Sequence, residues 1–212
     1  MKRFEIITEA DARLLDVGET VELRKGGHVT PLAADTLKSR RVTVVSEGLL
    51  DRADEMRAPA ADIRRLAIGS DHSGLALKSA IVAALRGKGI AVDDLGTLTA
   101  DPVDYPDTAA RVAKSVARGE ADAGIVIDGA GIGSAIAANK VAGVRAAVCH
   151  DATMARYSRQ HNGANVLSLG ATLIQPKDAL DIINVWLNTP MTETRYIRRL
   201  AKIRALESHS ER

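Results

Sequence analysis

The stretch GIVIDGAGIGSAIAANK, residues 124–140, joins an apolar run to a row of small residues through a glycine-rich loop. The run ends on an acid, Asp128, and glycine then occupies positions 129, 131 and 133. A buried strand that enters a helix through such a loop is typical of parallel α/β sheets. Uncovered backbone amides at the start of a helix attract a phosphate, a carboxylate or an enolate-like oxygen. The stretch therefore predicts an α/β fold with an anion site beside a carboxylate.

The rest of the chain from residue 66 onward repeats this alternation of short apolar runs and amphipathic segments. The clearest helical stripe has apolar residues at i, i+3, i+4, i+7 and i+8, from Ala179 to Leu187. We therefore predict a doubly wound, Rossmann-like α/β domain, in which a five-stranded parallel sheet carries helices on both faces. Ligands of such sheets bind at the carboxyl ends of the strands. The predicted strands are residues 66–70, 90–96, 124–128, 144–149 and 165–170, and helices are also predicted after the first strand, at 107–118, from the glycine loop to about residue 140, and at 152–161.

The first part of the chain has a different character. Residues 20–23 (TVEL) and 41–45 (RVTVV) look like strands, and Thr30 with Pro31 marks the start of a helix between them. A polar, alanine-rich segment follows. We predict an N-terminal appendage over residues 1–45, a linker over 46–64 and the main domain over 65–212.

Composition excludes several classes of function. The formal net charge is only +2 and aromatic residues make up 2% of the chain, so we expect no nucleic-acid partner. The single cysteine, Cys149, excludes an internal disulfide framework and fits a reducing compartment. No apolar run approaches the roughly 20 residues that span a bilayer, and acids interrupt the N-terminal segment where a signal peptide would be apolar. We expect a cytoplasmic protein without a membrane partner.

The glycine loop leaves two interpretations open. A dinucleotide site would need the spacing G-x-G-x-x-G after the first strand, whereas this loop reads G-x-G-x-G after the third strand, with Ser134 next. No Gly-Lys-Ser/Thr follows, so the loop is not a P-loop either. The loop is an anion site or a tight turn that needs only positive φ angles. Asp128 is correspondingly a general base or a helix cap.

Three further clusters carry candidate chemistry. Asp71 and His72 follow the first strand, and His161 and Asn162 precede the fifth. Arg195 and Arg199 lie one helical turn apart, where they could grip one phosphate or form a solvated basic helix end. The histidines show no zinc-type spacing, so we expect no metal and no cofactor.

Five motifs in order, IGSDHSGLALK, VDYPD, GIVIDGAGIGSAIAANKVAGVRAAVCHD, SRQHNGANVLSLGA and RYIRR, resemble the ribose-5-phosphate isomerase B family. That family also includes the subunits of galactose-6-phosphate isomerase, and the resemblance spans about residues 65–205. It implies a metal-free aldose–ketose isomerase of a sugar phosphate, with ribose 5-phosphate and ribulose 5-phosphate as the first expectation. Such an enzyme opens the sugar ring and then moves a proton between C1 and C2 through an enediolate.

The resemblance also implies roles for individual residues. His161 corresponds to the ring-opening acid/base, which works with Asp71. Asp128 stands where many members have a cysteine that removes the C2 proton, and Ser134 stands where others have a glutamate. The remaining expected contacts are the anion hole of Gly129, Ala130, Gly131, Ile132 and Gly133, the phosphate-binding residues His72, Arg195 and Arg199, and the sugar-site residues Tyr105 and Asn162.

Departures from the family pattern put the substrate in question. Besides Asp128, this chain has Ala130 where relatives often have threonine and Thr172 where they often have arginine. The alternatives are another pentose phosphate, a tetrose phosphate such as erythrulose phosphate, or a non-catalytic sugar-phosphate-binding or assembly subunit. A dinucleotide-binding oxidoreductase is disfavoured by the glycine spacing.

The resemblance has two further implications, about assembly and location. Members of the family are dimers or tetramers whose sites are completed by the neighbouring subunit, so we expect at least a homodimer. The N-terminal motifs ITEAD and VTPLAAD resemble segments of bacterial microcompartment enzymes, notably the ethanolamine-utilisation cobalamin adenosyltransferase. This likeness implies location inside a microcompartment and docking to shell or cargo proteins. The alternative is a structural appendage that covers part of the main domain.

Overall fold

The computed structural model describes residues 2–47, 63–191 and 194–207. The chain divides into two compact units, with the divisions after residues 56 and 196. Residues from 197 onward, which the sequence analysis assigned to the main domain, fall in the first unit. Most of the predicted linker, 46–64, lies outside the described residues, and the boundaries at 45 and 65 stay predictions.

The first unit contains a small three-stranded parallel sheet in the order β1-β2-β3. Thr8 caps its first helix, accepting a hydrogen bond from the N–H of Asp11, whose side chain accepts one from the Thr8 N–H in return. A core of six buried residues lies between the sheet and the helices: Ile7, Ala12, Leu15, Val21, Ala33 and Leu37. The elements are β1 Arg3–Ile7, α1 Glu9–Leu14, β2 Thr20–Val29, α2 Pro31–Ser39 and β3 Thr43–Ser46.

The second unit contains a five-stranded, wholly parallel sheet in the order β5-β4-β6-β8-β7. This confirms the predicted doubly wound α/β class and all five predicted strands, with ends that shift by a few residues. The strands are β4 Arg65–Ser70, β5 Ala91–Asp94, β6 Ala123–Asp128, β7 Ala146–Val148 and β8 Val166–Gly170. The helices are α3 Leu75–Gly87, α4 Tyr105–Ala117, α5 Ile132–Ala138, α6 Ala152–Gln160, α7 Pro176–Leu187 and α8 Thr194–Glu207, which continues into the first unit.

Successive side chains along each strand pack alternately into two separate hydrophobic cores, one on each face of the sheet. On β6, Ile125 and Ile127 point into a core shared with α3 and α7, while Val126 points into a core shared with α4 and α5. The period of two that strands impose therefore explains why both faces are covered. The predicted stripe of α7 is buried in the first of these cores, with Trp186 among its largest buried side chains.

Lys78 on α3 is almost fully buried and fixes the segment after β5. Its Nζ donates to both carboxylate oxygens of Asp94, at 2.6 and 2.7 Å, and to the carbonyl oxygen of Thr97 at 2.6 Å. Removing one partner of a buried ion pair strongly destabilises a protein, because the other charge is left without compensation. This pair holds the start of the β5–α4 connection near the carboxyl end of the sheet.

We expect Lys78→Ala to lower the free energy of unfolding by about 3 kcal/mol, because it leaves Asp94 without its cation in a partly buried position. Urea denaturation followed by circular dichroism measures this change. Lys88→Ala is the matched control, since Lys88 is exposed and makes one hydrogen bond to Asn184, and it should change stability by less than about 0.5 kcal/mol. Equal losses in both variants would contradict the assigned role of the Lys78–Asp94 pair.

Candidate active site

The register of the sheet brings the ends of three strands to one edge. Ser70 on β4 pairs with Ile127 on β6, and Asp128 pairs with Gly170 on β8. The residues that follow these strands therefore meet. Thr172 donates through its hydroxyl to the carbonyl oxygen of Gly129 at 2.7 Å.

The glycine loop turns tightly against β8 and α4. Gly131 has a φ of +78°, and a Cβ atom there would lie 2.8 Å from the backbone of Leu169. A Cβ atom on Gly133 would lie 2.5 Å from the ring of Tyr105, which begins α4. Gly131 therefore excludes a side chain, whereas a side chain at Gly133 would require the ring of Tyr105 to move. The close approach at Gly133 places Tyr105 directly against the loop.

Asp128 is 5% exposed and organises this loop with its carboxylate. Oδ1 accepts hydrogen bonds from the amides of Ala130, at 2.9 Å, and Gly131, while Oδ2 accepts one from the amide of Ser134 at 2.7 Å. This geometry is that of the capping interpretation. It also occupies two of the amides predicted to form the anion hole, whereas the amides of Ile132 and Gly133 have no hydrogen-bond partner within residues 63–191.

Asp71 lies at the same edge and caps a short 3₁₀ turn, His72–Gly74. Its Oδ1 accepts from the amide of Ser73 at 3.0 Å, from the Ser73 hydroxyl at 2.6 Å and from the amide of Gly74 at 3.2 Å. The second oxygen, Oδ2, accepts no hydrogen bond from the part of the chain that the structure describes. That oxygen is available to a ligand or a proton.

The ring of His72 is exposed and accepts one hydrogen bond from the backbone. Its Nδ1 accepts a hydrogen bond from the amide of Val103 at 3.3 Å. Because Nδ1 then has no proton, the neutral ring carries its hydrogen on Nε2. His72 can therefore donate to an anion whether its ring is neutral or charged.

His161 lies at the end of α6, where its N–H donates to the carbonyl oxygen of Tyr157. Its ring stacks on the ring of Tyr157 and lies tilted against that of Tyr196, and Asn162 beside it is exposed. Within the described residues no contact joins His161 to Asp71 or Asp128. The structure thus brings Asp71, His72, Tyr105 and the glycine loop together in one chain and leaves His161 apart.

The two predicted arginines lie on α8, one turn apart as expected. The side chain of Arg195 is outside the described part of the structure. Arg199 is exposed and falls in the first unit. A role for either residue in binding phosphate stays a prediction.

Two residues that the sequence analysis missed form side-chain hydrogen bonds to the candidate site. His150, after β7, contacts the carbonyl oxygen of Ala130 through Nε2 at 3.2 Å, and Ser73 holds Asp71. Both follow predicted strands at the ligand-binding edge. That position is the signal that could have identified them.

The thiol of Cys149 is fully buried. Burial raises its pKa to about 11, a hydrogen bond with Ser158 lowers it in part, and the charge of Asp151 raises it. A thiol with this pKa is almost entirely protonated at neutral pH, so it supplies no thiolate base.

We expect Cys149 to react with iodoacetamide at pH 7.5 at least about 100-fold more slowly in the folded protein than in urea, because the thiol is both buried and protonated. Mass spectrometry of samples quenched over time measures the two rates. The rate in the folded protein should rise only as the pH approaches 11. Complete alkylation within minutes at pH 7.5 without urea would contradict this assignment.

Among residues 2–47, 63–191 and 194–207, no group of three or more histidine, cysteine, aspartate or glutamate side chains is placed to hold a metal ion. In the same ranges, no helix has the length and apolar character needed to cross a membrane.

Comparison with known proteins gives matches that cover about two thirds of the chain, beginning near the start of β4. The family described as Ribose/Galactose Isomerase matches residues 66–203. Ribose-5-phosphate isomerase B of Escherichia coli (strain K12) is 43% identical over 145 residues, which are 68% of this chain and 97% of that protein.

Solved structures agree with this match. A ribose-5-phosphate isomerase B of Clostridium thermocellum is 46% identical and superposes with a TM-score of 0.68, covering 69% of this chain and 99% of its own. The enzyme of Mycoplasma genitalium, solved with bound ribulose-5-phosphate, is 39% identical with a TM-score of 0.66, covering 68% of this chain and 96% of its own.

Proposed function

Because the chain belongs to the ribose/galactose isomerase family, we propose that it interconverts ribose 5-phosphate and ribulose 5-phosphate. The observation that carries this proposal is the meeting of Asp71, His72, Tyr105 and the capped glycine loop at one edge of the sheet. An aldose–ketose isomerase of a sugar phosphate needs an acid/base pair, an anion hole and hydrogen-bond donors that hold the phosphate group. This edge of the sheet supplies candidates for most of these roles.

The first step is ring opening. His161 donates a proton to the ring oxygen O4 of the furanose while the O1 hydroxyl loses its proton to Asp71, whose Oδ2 accepts no other hydrogen bond from described residues. The C1–O4 bond breaks and C1 becomes an aldehyde. The exchange consumes one proton and releases one, so no cofactor is required.

The second step moves a proton between carbons. Asp128 takes the proton from C2, the electron pair forms the C1–C2 double bond, and negative charge develops on O1. The amides of Ile132 and Gly133 then stabilise that charge in the proposed mechanism. The O2 hydroxyl gives up its proton while O1 gains one, and return of the proton from Asp128 to C1 gives the ketose with its carbonyl at C2. For this step one oxygen of Asp128 must exchange an amide hydrogen bond for the substrate.

The phosphate group is expected at His72 and at Arg195 and Arg199. The Nε2–H of His72 donates to a phosphate oxygen, and arginines one turn apart present several N–H donors to a single phosphate. Tyr105 is expected to line the sugar site, together with Asn162, which like His161 would come from the neighbouring subunit.

We expect the active form to be at least a homodimer. Ile132 and Ile136 on α5 are 54% and 58% exposed beside the glycine loop, and Tyr105 is also exposed. Such an apolar patch next to a site supports burial against a second copy. This arrangement would supply His161 from the neighbouring subunit. Light scattering on the purified protein at several concentrations tests it.

We propose a cytoplasmic enzyme, and residence in a bacterial microcompartment rests on the motifs ITEAD and VTPLAAD alone. Fusion of residues 1–45 to a fluorescent protein tests the second idea. Focal fluorescence only in cells that form shells supports docking, and diffuse fluorescence in such cells favours a structural appendage.

The substrate is tested by proton NMR of the purified protein with ribose 5-phosphate and, separately, with erythrose 4-phosphate. Conversion of ribose 5-phosphate with the higher kcat/KM supports the proposal. A higher kcat/KM for erythrose 4-phosphate would assign the enzyme to tetrose phosphates, as the loss of the threonine and arginine at Ala130 and Thr172 allows.

A non-catalytic sugar-phosphate-binding subunit is the second candidate. The observation that favours it is the engagement of both Asp128 oxygens by backbone amides. It predicts that ribose 5-phosphate raises the melting temperature while NMR detects no ketose.

A further inference from the structure

The ring of His161 contacts two tyrosine rings. Its centroid is 4.6 Å from that of Tyr157, with the planes 14° apart, and 4.4 Å from that of Tyr196, with the planes 31° apart. Distances of this size are those of stacked aromatic pairs. We call Tyr157 and Tyr196 the tyrosine clamp.

The clamp comes from two separate helices. Tyr157 precedes His161 by four residues on α6, so the two side chains share one face of that helix. Tyr196 lies near the start of α8 and is buried. The clamp thus combines a local contact with one across 35 residues of sequence.

One stacked and one tilted aromatic contact therefore crowd the imidazole of His161. Within the described residues, neither ring nitrogen of His161 has a hydrogen-bond partner. A catalytic histidine is usually oriented by a hydrogen bond to its second nitrogen. Here the stacked rings are what restricts rotation of the imidazole about its Cβ–Cγ bond.

We propose that Tyr157 and Tyr196 are positioning residues that fix the plane of His161 for ring opening, an inference that rests on the proposed function. The clamp holds the ring while neither Nδ1 nor Nε2 is engaged in a hydrogen bond to the described residues, and one of these nitrogens must pass a proton to the sugar. Tyr157 is 46% exposed. Because nearly half of this side chain is exposed, its contact with His161 matters more than any packing in the hydrophobic core.

The two substrates of the reaction separate ring opening from proton transfer. Ribose 5-phosphate is mostly a furanose and must open. Ribulose 5-phosphate cannot close a furanose ring, because its C5 oxygen carries the phosphate. Exchange of its C1 proton for deuterium in heavy water therefore reports enediolate formation alone.

The experiment compares Tyr157→Leu with the wild-type protein, and uses Tyr157→Phe as the variant that keeps the ring. We expect Tyr157→Leu to lower kcat for ribose 5-phosphate by about tenfold or more, with KM nearly unchanged. Deuterium exchange at C1 of ribulose 5-phosphate should stay at the wild-type rate. Tyr157→Phe should match the wild type in both assays.

Equal slowing of both assays in Tyr157→Leu, or no slowing in either, would overturn the proposal. The proton NMR signals of the His161 ring give a readout without substrate, since stacked rings shift them upfield. These signals should move downfield in Tyr157→Leu and stay in place in Tyr157→Phe. A wild-type protein inactive in both assays would refute the proposed function, whereas unchanged His161 signals in Tyr157→Leu would refute the clamp.

Discussion

Replacement of Asp128 by asparagine is expected to lower kcat for ribose 5-phosphate at least about 100-fold, the usual scale for loss of an acid–base residue. The amide cannot remove the C2 proton. The substitution also replaces one carboxylate oxygen with an NH₂ group, which cannot accept a hydrogen bond. The lost acceptor is either Oδ1, which binds the amides of Ala130 and Gly131, or Oδ2, which binds the amide of Ser134, so the loop loses part of its cap. A coupled assay for ketose formation measures the change.

Two further variants separate the base from the cap. Asp128→Cys supplies the thiol that many relatives carry at this position but is a poor acceptor for the loop amides. Asp128→Ser accepts an amide hydrogen bond as a cap but is no base at neutral pH. If Asp128 is the base, the cysteine variant retains more activity than the serine variant. The reverse order, or near-normal turnover of Asp128→Asn, would show that Asp128 serves the loop and that another group moves the proton.

His161→Gln should lower kcat for ribose 5-phosphate by about 100-fold, since the amide cannot give a proton to the ring oxygen. Deuterium exchange at C1 of ribulose 5-phosphate should be nearly unaffected, because that substrate has no ring to open. Asp128→Asn, in contrast, should slow both reactions. The pair of assays therefore assigns the two residues to different steps.

His72→Gln is the control for His161→Gln. In the proposed mechanism its ring donates to phosphate rather than to the reacting atoms, so its loss should raise KM for ribose 5-phosphate with little effect on kcat. A fall in kcat for His72→Gln as large as that for His161→Gln would contradict the separate roles. If His161→Gln slowed the turnover of ribose 5-phosphate and the C1 exchange of ribulose 5-phosphate equally, His161 would also take part in proton transfer between C1 and C2.

The sheet of the second unit could be predicted because each of its strands is a short apolar run bounded by turn residues. The strand β6 is buried along its whole length and reads as GIVID. In the first unit, β1 and α1 were not predicted. The strand β1 is mostly exposed and carries Arg3 and Glu5, and α1 has only six residues. Neither element has the periodic apolar pattern on which such predictions depend.

The meeting of Asp71, Asp128 and the glycine loop at one edge of the sheet could be predicted, but the hydrogen bonds of these residues could not. Parallel strands put Asp71, Asp128 and the glycine loop at one edge whatever their side chains do. Which amides Asp128 engages depends on the turn at Gly131, whose φ of +78° lets the chain fold back. The stacking of Tyr196 on His161 joins residues far apart in sequence, and no local pattern predicts it.

The most direct measurement of the proposed chemistry is NMR of the wild-type protein with ribose 5-phosphate in heavy water. Proton transfer through an enediolate predicts ribulose 5-phosphate that carries deuterium at C1, together with deuterium at C2 of the remaining aldose. Unlabelled ribose 5-phosphate after prolonged incubation, with a melting temperature still raised by the sugar, would contradict isomerase activity. That result would leave a protein that binds the sugar phosphate without converting it.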